Sequence, residues 1–432
     1  MQFEEMRYFN QQKDEIDEIN KKGIEKNRKG KFTISVVDKD NNKISGGKLT
    51  IKQNTHDFMF GANIFMLDCF ETDKQNELYE DYWLKLFNTA VVPFYWGALE
   101  PEKGKPRYAK DSKFIFRRPP VDRCLEFCDK NNVIPKGHTL VWHKIIPEWA
   151  SKDGEGMWQQ IEERMTDISK RYKDKIKTWD VVNESLIDIQ VREGFNMPSD
   201  YVFRSVHLAE KLFKGCSLFL NEDTPTAWHP QKINCAYSLL LENMRLRNAR
   251  VDGIGMQYHL FFRQEELKNE AETYINPKSL IETMDMYSRF GVPLHISEIT
   301  LPSYRLGNER ALALQAELAR ELYTLWFAHS SVDAIIWWNL VTGGEYSTKF
   351  WDEGYFDGSL VNKDFTKKPA YEVLYDLINN KWKTNVVLDN DGENNLCGFY
   401  GKYTATYEKN GKTTTCDFHL KKGHFNNFVI EI

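Results

Sequence analysis

Two glutamates in this chain close short apolar runs that read as buried strands. One run is Trp179-Asp-Val-Val-Asn183, followed at once by Glu184; the other is Leu294-His-Ile-Ser, ending on Glu298. A carboxyl group placed where a strand gives way to a loop can look into a cleft. Two of them sharing one cleft are the equipment for splitting a glycosidic bond. One protonates the leaving oxygen while the other attacks the anomeric carbon or activates water. A single Glu after a strand is ordinarily a solvated loop residue or a helix cap. Two at strand ends, one of them behind Trp-Asp-Val-Val-Asn, point to chemistry instead.

Residues so distant in sequence need a frame that brings strand ends together. Eight apolar runs supply it: Phe58–Ile64, Thr89–Phe94, Ile134–Trp142, Thr178–Asn183, Ser217–Asn221, Gly253–His259, Pro293–Glu298 and Ala334–Asn339. Each precedes a stretch of helical period, such as Ala311–Phe327 with Leu314, Leu318, Leu322 and Leu325 on one face. Near-continuous apolar strands alternating with helices predict a closed parallel (β/α)8 barrel. In such a barrel the fourth and seventh strands open on the same mouth. Outside it, residues 1–28 read as a polar helix, and Lys31–Val37 and Lys48–Gln53 as strands. The polar loop Asp38–Asn42 lacks the Gly and distal Glu of a calcium loop and reads as a hairpin turn. Further strands are expected at Asn385–Leu388, Gly398–Glu408, Thr413–Leu420 and Asn427–Ile432. Neither terminal set makes a convincing two-sided sheet alone, so the two are expected to combine into a small β-sandwich. The expected class is α/β: a TIM barrel over residues 57–380, with a discontinuous β-sandwich module from residues 1–56 and 381–432.

Composition excludes several functions. The chain has 432 residues with a net charge of −5, and its charges are interspersed. Nothing favours nucleic acid as a partner, no apolar run is long enough for a membrane span, and no protein partner is predicted. The seven cysteines are odd in number and scattered, which argues against a disulfide framework. No apolar leader opens the chain, so it is either cytoplasmic or secreted after leader removal, and the localisation stays open. Aromatic residues reach 14%. They serve a large core, or sugar-stacking platforms, or both.

Four segments make the chain resemble glycoside hydrolase family 10, the endo-β-1,4-xylanase family, as a divergent member. They are Gly137-His-Thr-Leu-Val-Trp-His143 with Pro147-Glu-Trp149, Trp179 to Ser185, Gly253-Ile-Gly-Met-Gln-Tyr-His259, and Pro293 to Ile299. Weaker echoes are Phe219–Glu222 and Lys368–Tyr371. The resemblance implies retaining hydrolysis of a β-linked plant polysaccharide or oligosaccharide by double displacement, without a cofactor. Glu184 is then the acid/base, with a pKa that must rise, and Glu298 the nucleophile. His259 holds Glu298, and Asn183 binds the sugar 2-OH. His143 and Gln257 line the −1 sugar site, and Trp149 and Trp338 wall it. His138 and His143 fall on opposite faces of one strand, so no metal site is expected, and His138 reads as a buried, satisfied histidine. Trp337 is expected to face the helices.

The second strand departs from the family. Where the family usually carries Pro-Glu-Asn-Glu-Met-Lys-Trp, this chain has Val92-Pro-Phe-Tyr-Trp96-Gly-Ala-Leu-Glu-Pro101. The Glu, Asn and Lys that would bind the −2 and −1 sugars are missing. After His143, Lys144 and Ile145 replace a small residue and Gln. The expectation is intact catalysis with altered glycone recognition, since hydrogen bonds to sugar hydroxyls discriminate most strongly. Two alternatives stand beside it: a β-glycosidase of non-xylan specificity, and a carbohydrate-binding protein on a catalytically altered barrel. The Gly-hinged aromatic segment 342–356 is either a rim to the substrate cleft or simple packing over the mouth. The terminal module is expected to support the barrel rather than bind glycan.

Overall fold

The computed structural model describes residues 3–187, 195–305, 308–348 and 351–432. After β1 (Lys29–Val37) and β2 (Lys48–His56), eight parallel strands close a barrel: β3 (Met59–Asn63), β4 (Thr89–Pro93), β5 (Ile134–Trp142), β6 (Thr178–Asn183), β7 (Ser217–Glu222), β8 (Gly253–His259), β9 (Leu294–Thr300) and β10 (Val332–Trp337). β10 pairs with β3 to close the ring. Each lies on an expected apolar run. All five residues of β4 and all seven of β9 are buried, as strands packed on both faces must be. The outer helices are set by local chemistry. Thr72 and Gln75 form a capping box on Asp73–Leu86, and Val121–Asn131 stops at Asn132 in the left-handed conformation. Helix Glu309–Ala328 buries Leu314, Leu318, Leu322 and Leu325 against the barrel.

The two ends of the chain meet. A three-stranded sheet orders Glu393–Phe399, Lys29–Val37 and Asn427–Glu431; a four-stranded sheet orders Asn385–Asp389, Lys48–His56, Gly401–Lys409 and Lys412–Leu420. Ile34, Val36, Leu49, Ile51, Tyr403 and Leu420 share one core that both termini build. The module has seven strands where six were expected. The extra one, Glu393–Phe399, begins with the polar Glu-Asn-Asn and alternates exposed with buried residues. Its apolar signal is too weak to stand out. Gly401 lets the chain leave one sheet and enter the other: a Cβ there would sit 1.9 Å from the Thr55 carbonyl oxygen.

The N-terminal segment differs from the expected single polar helix. From Glu4 onward it is a 3-10 turn, a short helix at Arg7–Gln11 and a longer one at Lys13–Arg28; residues 1–2 lie outside the described residues. Phe3, Met6, Phe9 and Ile16 join the barrel core. The segment packs chiefly on helix Glu309–Ala328, with a smaller contact to the strand Lys29–Val37 that follows it. All seven cysteines are free thiols, and among the described residues no helix is long and apolar enough to cross a membrane.

Candidate active site

A cavity of about 870 Å³ opens at the C-terminal ends of the barrel strands. Asn183, Glu184, Gln257, His259, Glu298 and Trp338 line it. A second cavity, of about 470 Å³, lies at the other end of the barrel beside Phe58 and Pro293. Its buried cation, Arg28, spends its donors on the carbonyls of Phe327, His329 and Val332 and has little left for a ligand.

Local irregularities aim the two carboxylates. In β9, Ser297 pairs with Gln257 of β8 and Ile299 with Tyr258, so Glu298 is an extra residue between them. Across the strand, β10 skips the same position: Ile335 faces Ile296 and Trp337 faces Ile299. Glu298 is thus a bulge residue, with φ at 57°. A bulge breaks the two-residue alternation and redirects one side chain, and left-handed backbone at a non-glycine costs about 1–3 kcal/mol. Glu184, at φ 52°, directly follows β6, its N–H donating to the Asn221 carbonyl at 2.8 Å. The next turn is tied down by Glu222, whose carboxylate accepts from the Ser185 N–H at 2.8 Å, the Ser185 hydroxyl at 2.5 Å and the Leu186 N–H at 3.3 Å. Burial pushes Glu222 up to about 8 against those donors.

Three amides join the two acids. Gln257 Nε2 donates to Glu184 Oε1 at 3.1 Å and to Asn183 Oδ1 at 3.4 Å. Asn221 Nδ2 donates to the same Asn183 oxygen and to Glu298 Oε1, both at 2.7 Å. Ser297 Oγ fixes the Asn221 amide by donating to Oδ1 at 2.5 Å. His259 Nε2 approaches Glu298 Oε2 at 3.4 Å while Nδ1 meets the Thr300 hydroxyl at 2.7 Å. His138 Nε2 lies 3.7 Å from Glu298 Oε1, with Nδ1 on Asp180 at 2.9 Å. Asp180 also pairs with buried Lys136 at 2.9 Å. Burial alone would raise the Asp180 pKa; Lys136 and His138 reverse it and hold the group ionised.

Glu184 is held on its other oxygen by Trp142 Nε1 at 3.2 Å and Lys144 Nζ at 2.8 Å. Burial would raise its pKa, but the Lys144 ion pair outweighs burial, and the net shift is downward. That is opposite to the rise a resting general acid calls for. The cause is the lysine that stands where the family has a small residue. His143, by contrast, falls to about 4, through burial and then the Lys144 charge.

Six of the eight residues named from the sequence line the cavity: Glu184, Glu298, Asn183, Gln257, His259 and Trp338. His143 and Trp149 do not. His143 is buried with neither ring nitrogen hydrogen-bonded, because it follows Trp142 and so takes the opposite face of the strand. It is His138 that turns toward Glu298. The opposed-face spacing was legible, but which face looked inward was not. Trp149 packs edge-on against Trp96 and donates to the Glu100 carbonyl at 2.9 Å. Trp337 is buried and donates to the carbonyls of Asn339 and Gly358. The rim segment contributes Tyr346, Trp351 and Glu353 to the lining; Phe350 lies outside the described residues. Sequence reasoning marked Lys144 only as a departure after His143, and missed Trp142, Asn221, Arg117 and Arg118 as site residues. Only Trp142 and Asn221 carried a signal, as members of quoted strand segments.

Known proteins share the sequence pattern and the fold of this chain. The pattern of glycosyl hydrolase family 10 matches residues 55–377. Endo-1,4-beta-xylanase B of Thermotoga neapolitana is 24% identical over 304 residues, 67% of this chain and 79% of that protein. Endo-1,4-beta-xylanase 2 of Arabidopsis thaliana is 25% identical over 418 residues, 92% of this chain but 34% of that protein. The crystal structure of xylanase 10B from Thermotoga petrophila RKU-1 in complex with xylobiose shares the fold. Its TM-score is 0.60 at 22% identity, covering 76% of this chain and 98% of that one.

Proposed function

The chain belongs to glycosyl hydrolase family 10, and from that premise we propose that it cleaves a β-linked, xylan-like plant polysaccharide or oligosaccharide with retention of configuration. The observation that carries this reading is the amide chain Glu184–Gln257–Asn183–Asn221–Glu298, which locks two buried carboxylates around one cavity.

Glu298 attacks the anomeric carbon as the carboxylate, oriented by Asn221 and His259. Glu184 delivers a proton to the leaving oxygen, and the glycosyl–enzyme ester forms. Water then enters, Glu184 takes its proton, and the ester is hydrolysed with net retention. Asn183, its Oδ1 already accepting from two amides, keeps its own Nδ2 without a partner and free for the sugar 2-OH. His138 Nε2, also without a hydrogen-bond partner, offers a further polar contact to the ring that Glu298 attacks. Trp338, edge-on to both His138 and His259, supplies the apolar wall.

The test is direct. Glu298→Ala is expected to lower kcat by at least about 10⁴-fold, and Glu184→Gln by a comparable factor on substrates with poor leaving groups. NMR of the first-formed product should show the β anomer. Either variant turning over near the wild-type rate, or an α first product, overturns the proposal.

A further inference from the structure

Five buried arginines serve as one another's controls. Arg28 spends its donors on three backbone carbonyls. Arg107 bonds the carbonyls of Lys113, Ala98 and Arg118. Arg164 bonds those of Leu140, Phe94 and Thr139. These three are structural: a desolvated guanidinium must be repaid, and carbonyl oxygens repay it. Arg117 and Arg118 are as deeply placed, at 5% and 9% exposure, but are not repaid in this way. Arg117 makes one long bond, from Nη2 to Asn339 Oδ1 at 3.3 Å, and its Nε, like that of Arg164, has no acceptor. Arg118 makes one, from Nη1 to the Arg117 carbonyl at 2.8 Å. Among the described residues no carboxylate pairs with either.

Both line the cavity that holds Glu298. The Arg118 guanidinium lies over the Tyr95 ring at 4.3 Å and the Phe65 ring at 5.3 Å. Stacking covers a face of the planar group and leaves its edge of N–H donors outward. Phe65 meets Trp338 edge-on, and Tyr95 meets His138 edge-on. The cationic wall therefore stands behind the aromatic wall of the ring that Glu298 attacks. Asp223 and Pro225, which follow β7, line the same cavity. Glu353 on the rim influences both arginines but lies outside ion-pair distance. Burial raises the Glu353 pKa, although Arg117 and His259 oppose it. Arg118, despite burial and the neighbouring Arg117, titrates only near 10 and stays charged at neutral pH.

We propose that Arg117 and Arg118 bind an anionic substituent, a carboxylate or a sulfate, on the glycone side of the substrate. Two adjacent forks of donors without an internal acid fit a planar or tetrahedral oxyanion, and charge-assisted bonds to it are about twice as strong as neutral ones. This specifies the substrate class of the active site and rests on the hydrolase reading above. It also accounts for the second strand: the hydrogen-bonding groups for neutral hydroxyls are replaced by Tyr95, which carries a guanidinium.

The experiment compares kcat/KM of the full chain on three sets of oligosaccharides. One carries glucuronic acid, the second is the same material carboxyl-reduced, and the third is sulfated. Wild type should prefer the acid over its reduced counterpart by about tenfold or more, and added NaCl should erode that preference. Arg117→Met and Arg118→Lys should each lower the anionic-to-neutral ratio of kcat/KM by about tenfold. A preference seen only with the sulfated set supports the same site and names sulfate as the anion. Equal turnover of the acid, its reduced counterpart and the sulfated substrate, or proportional losses on all three in the variants, overturns this inference and leaves the hydrolase reading standing. No cleavage of any glycoside by wild type overturns both. If Arg117→Met fails to fold, calorimetric titration of wild type with a uronic-acid disaccharide and its reduced form decides the matter. Equal affinity for these two and for a sulfated disaccharide overturns the inference.

Discussion

The Lys144–Glu184 ion pair sets the first expectation at the scale of single residues. A general acid works only while protonated. With burial outweighed by Lys144, the Glu184 pKa is lowered, so kcat/KM should fall as pH rises through that lowered value. Lys144→Met removes the opposing charge, leaves burial to act, and should move the alkaline limb of the profile upward. An unmoved limb in the kcat/KM profile would show that Lys144 does not set the Glu184 pKa in the free enzyme. A second expectation concerns Asn221, which bridges Asn183 and Glu298 through one amide nitrogen. Asn221→Ala deprives a buried carboxylate of its shortest bond and should lower kcat by roughly 10–100-fold with a smaller change in KM. Steady-state kinetics on an aryl β-glycoside checks it. Glu184 and Glu298 were legible because their residue type and strand-end position carry the signal. Lys144 stood out only as a replacement after His143, and Arg117 and Arg118 gave no signal, since a charged residue in a loop reads as solvated until the loop is folded over the cleft.

Strand-to-strand fit governs the next scale. A Cβ at position 255 of β8 would lie 2.2 Å from Asn221 Oδ1 and 3.0 Å from its Cγ. That amide is already held by Ser297, Asn183 and Glu298, so it has nowhere to retreat. Gly255→Ala should therefore cost about 1–3 kcal/mol of stability and lower kcat as well, although it touches no substrate. Thermal unfolding and kinetics on one preparation test both halves; a loss of stability with kcat intact would refute the link to Asn221. The loop after β6 depends on Glu222 in the same manner. Glu222→Ala leaves the Ser185 and Leu186 donors without their acceptor and should reduce activity through the position of Glu184. The bulge at Glu298 and the face chosen by His138 belong to this scale too. Neither follows from periodicity, because an inserted residue shifts the phase of alternation while leaving the apolar run looking continuous.

The largest-scale question is what the two chain ends do. We propose a division other than the expected one: residues 3–28 with the barrel, and strands from residues 29–56 and 385–431 as one β-module. Lys29–Val37 and Lys48–His56 find their strand partners only in the C-terminal segment. Removal of residues 385–432 should expose Ile34, Val36, Leu49 and Ile51 together. The expected outcome is loss of soluble protein or a marked rise in hydrophobic-dye binding; a truncated chain that stays soluble and fully active would refute a supporting role. Limited proteolysis near Lys383 tests the boundary itself.

The eight strands, their barrel closure and the two glutamates were determined by the sequence alone. Hydrophobic period and strand-end position are local properties, carried by each segment wherever it packs. The tertiary structure decided which histidine of β5 faces Glu298 and which charge opposes burial at Glu184. It also decided that two arginines from a loop line the cavity of Glu298 with no ion-paired carboxylate among the described residues. Those outcomes depend on distances between residues far apart in the chain, and electrostatic and packing energies are set by such distances, not by order along the sequence.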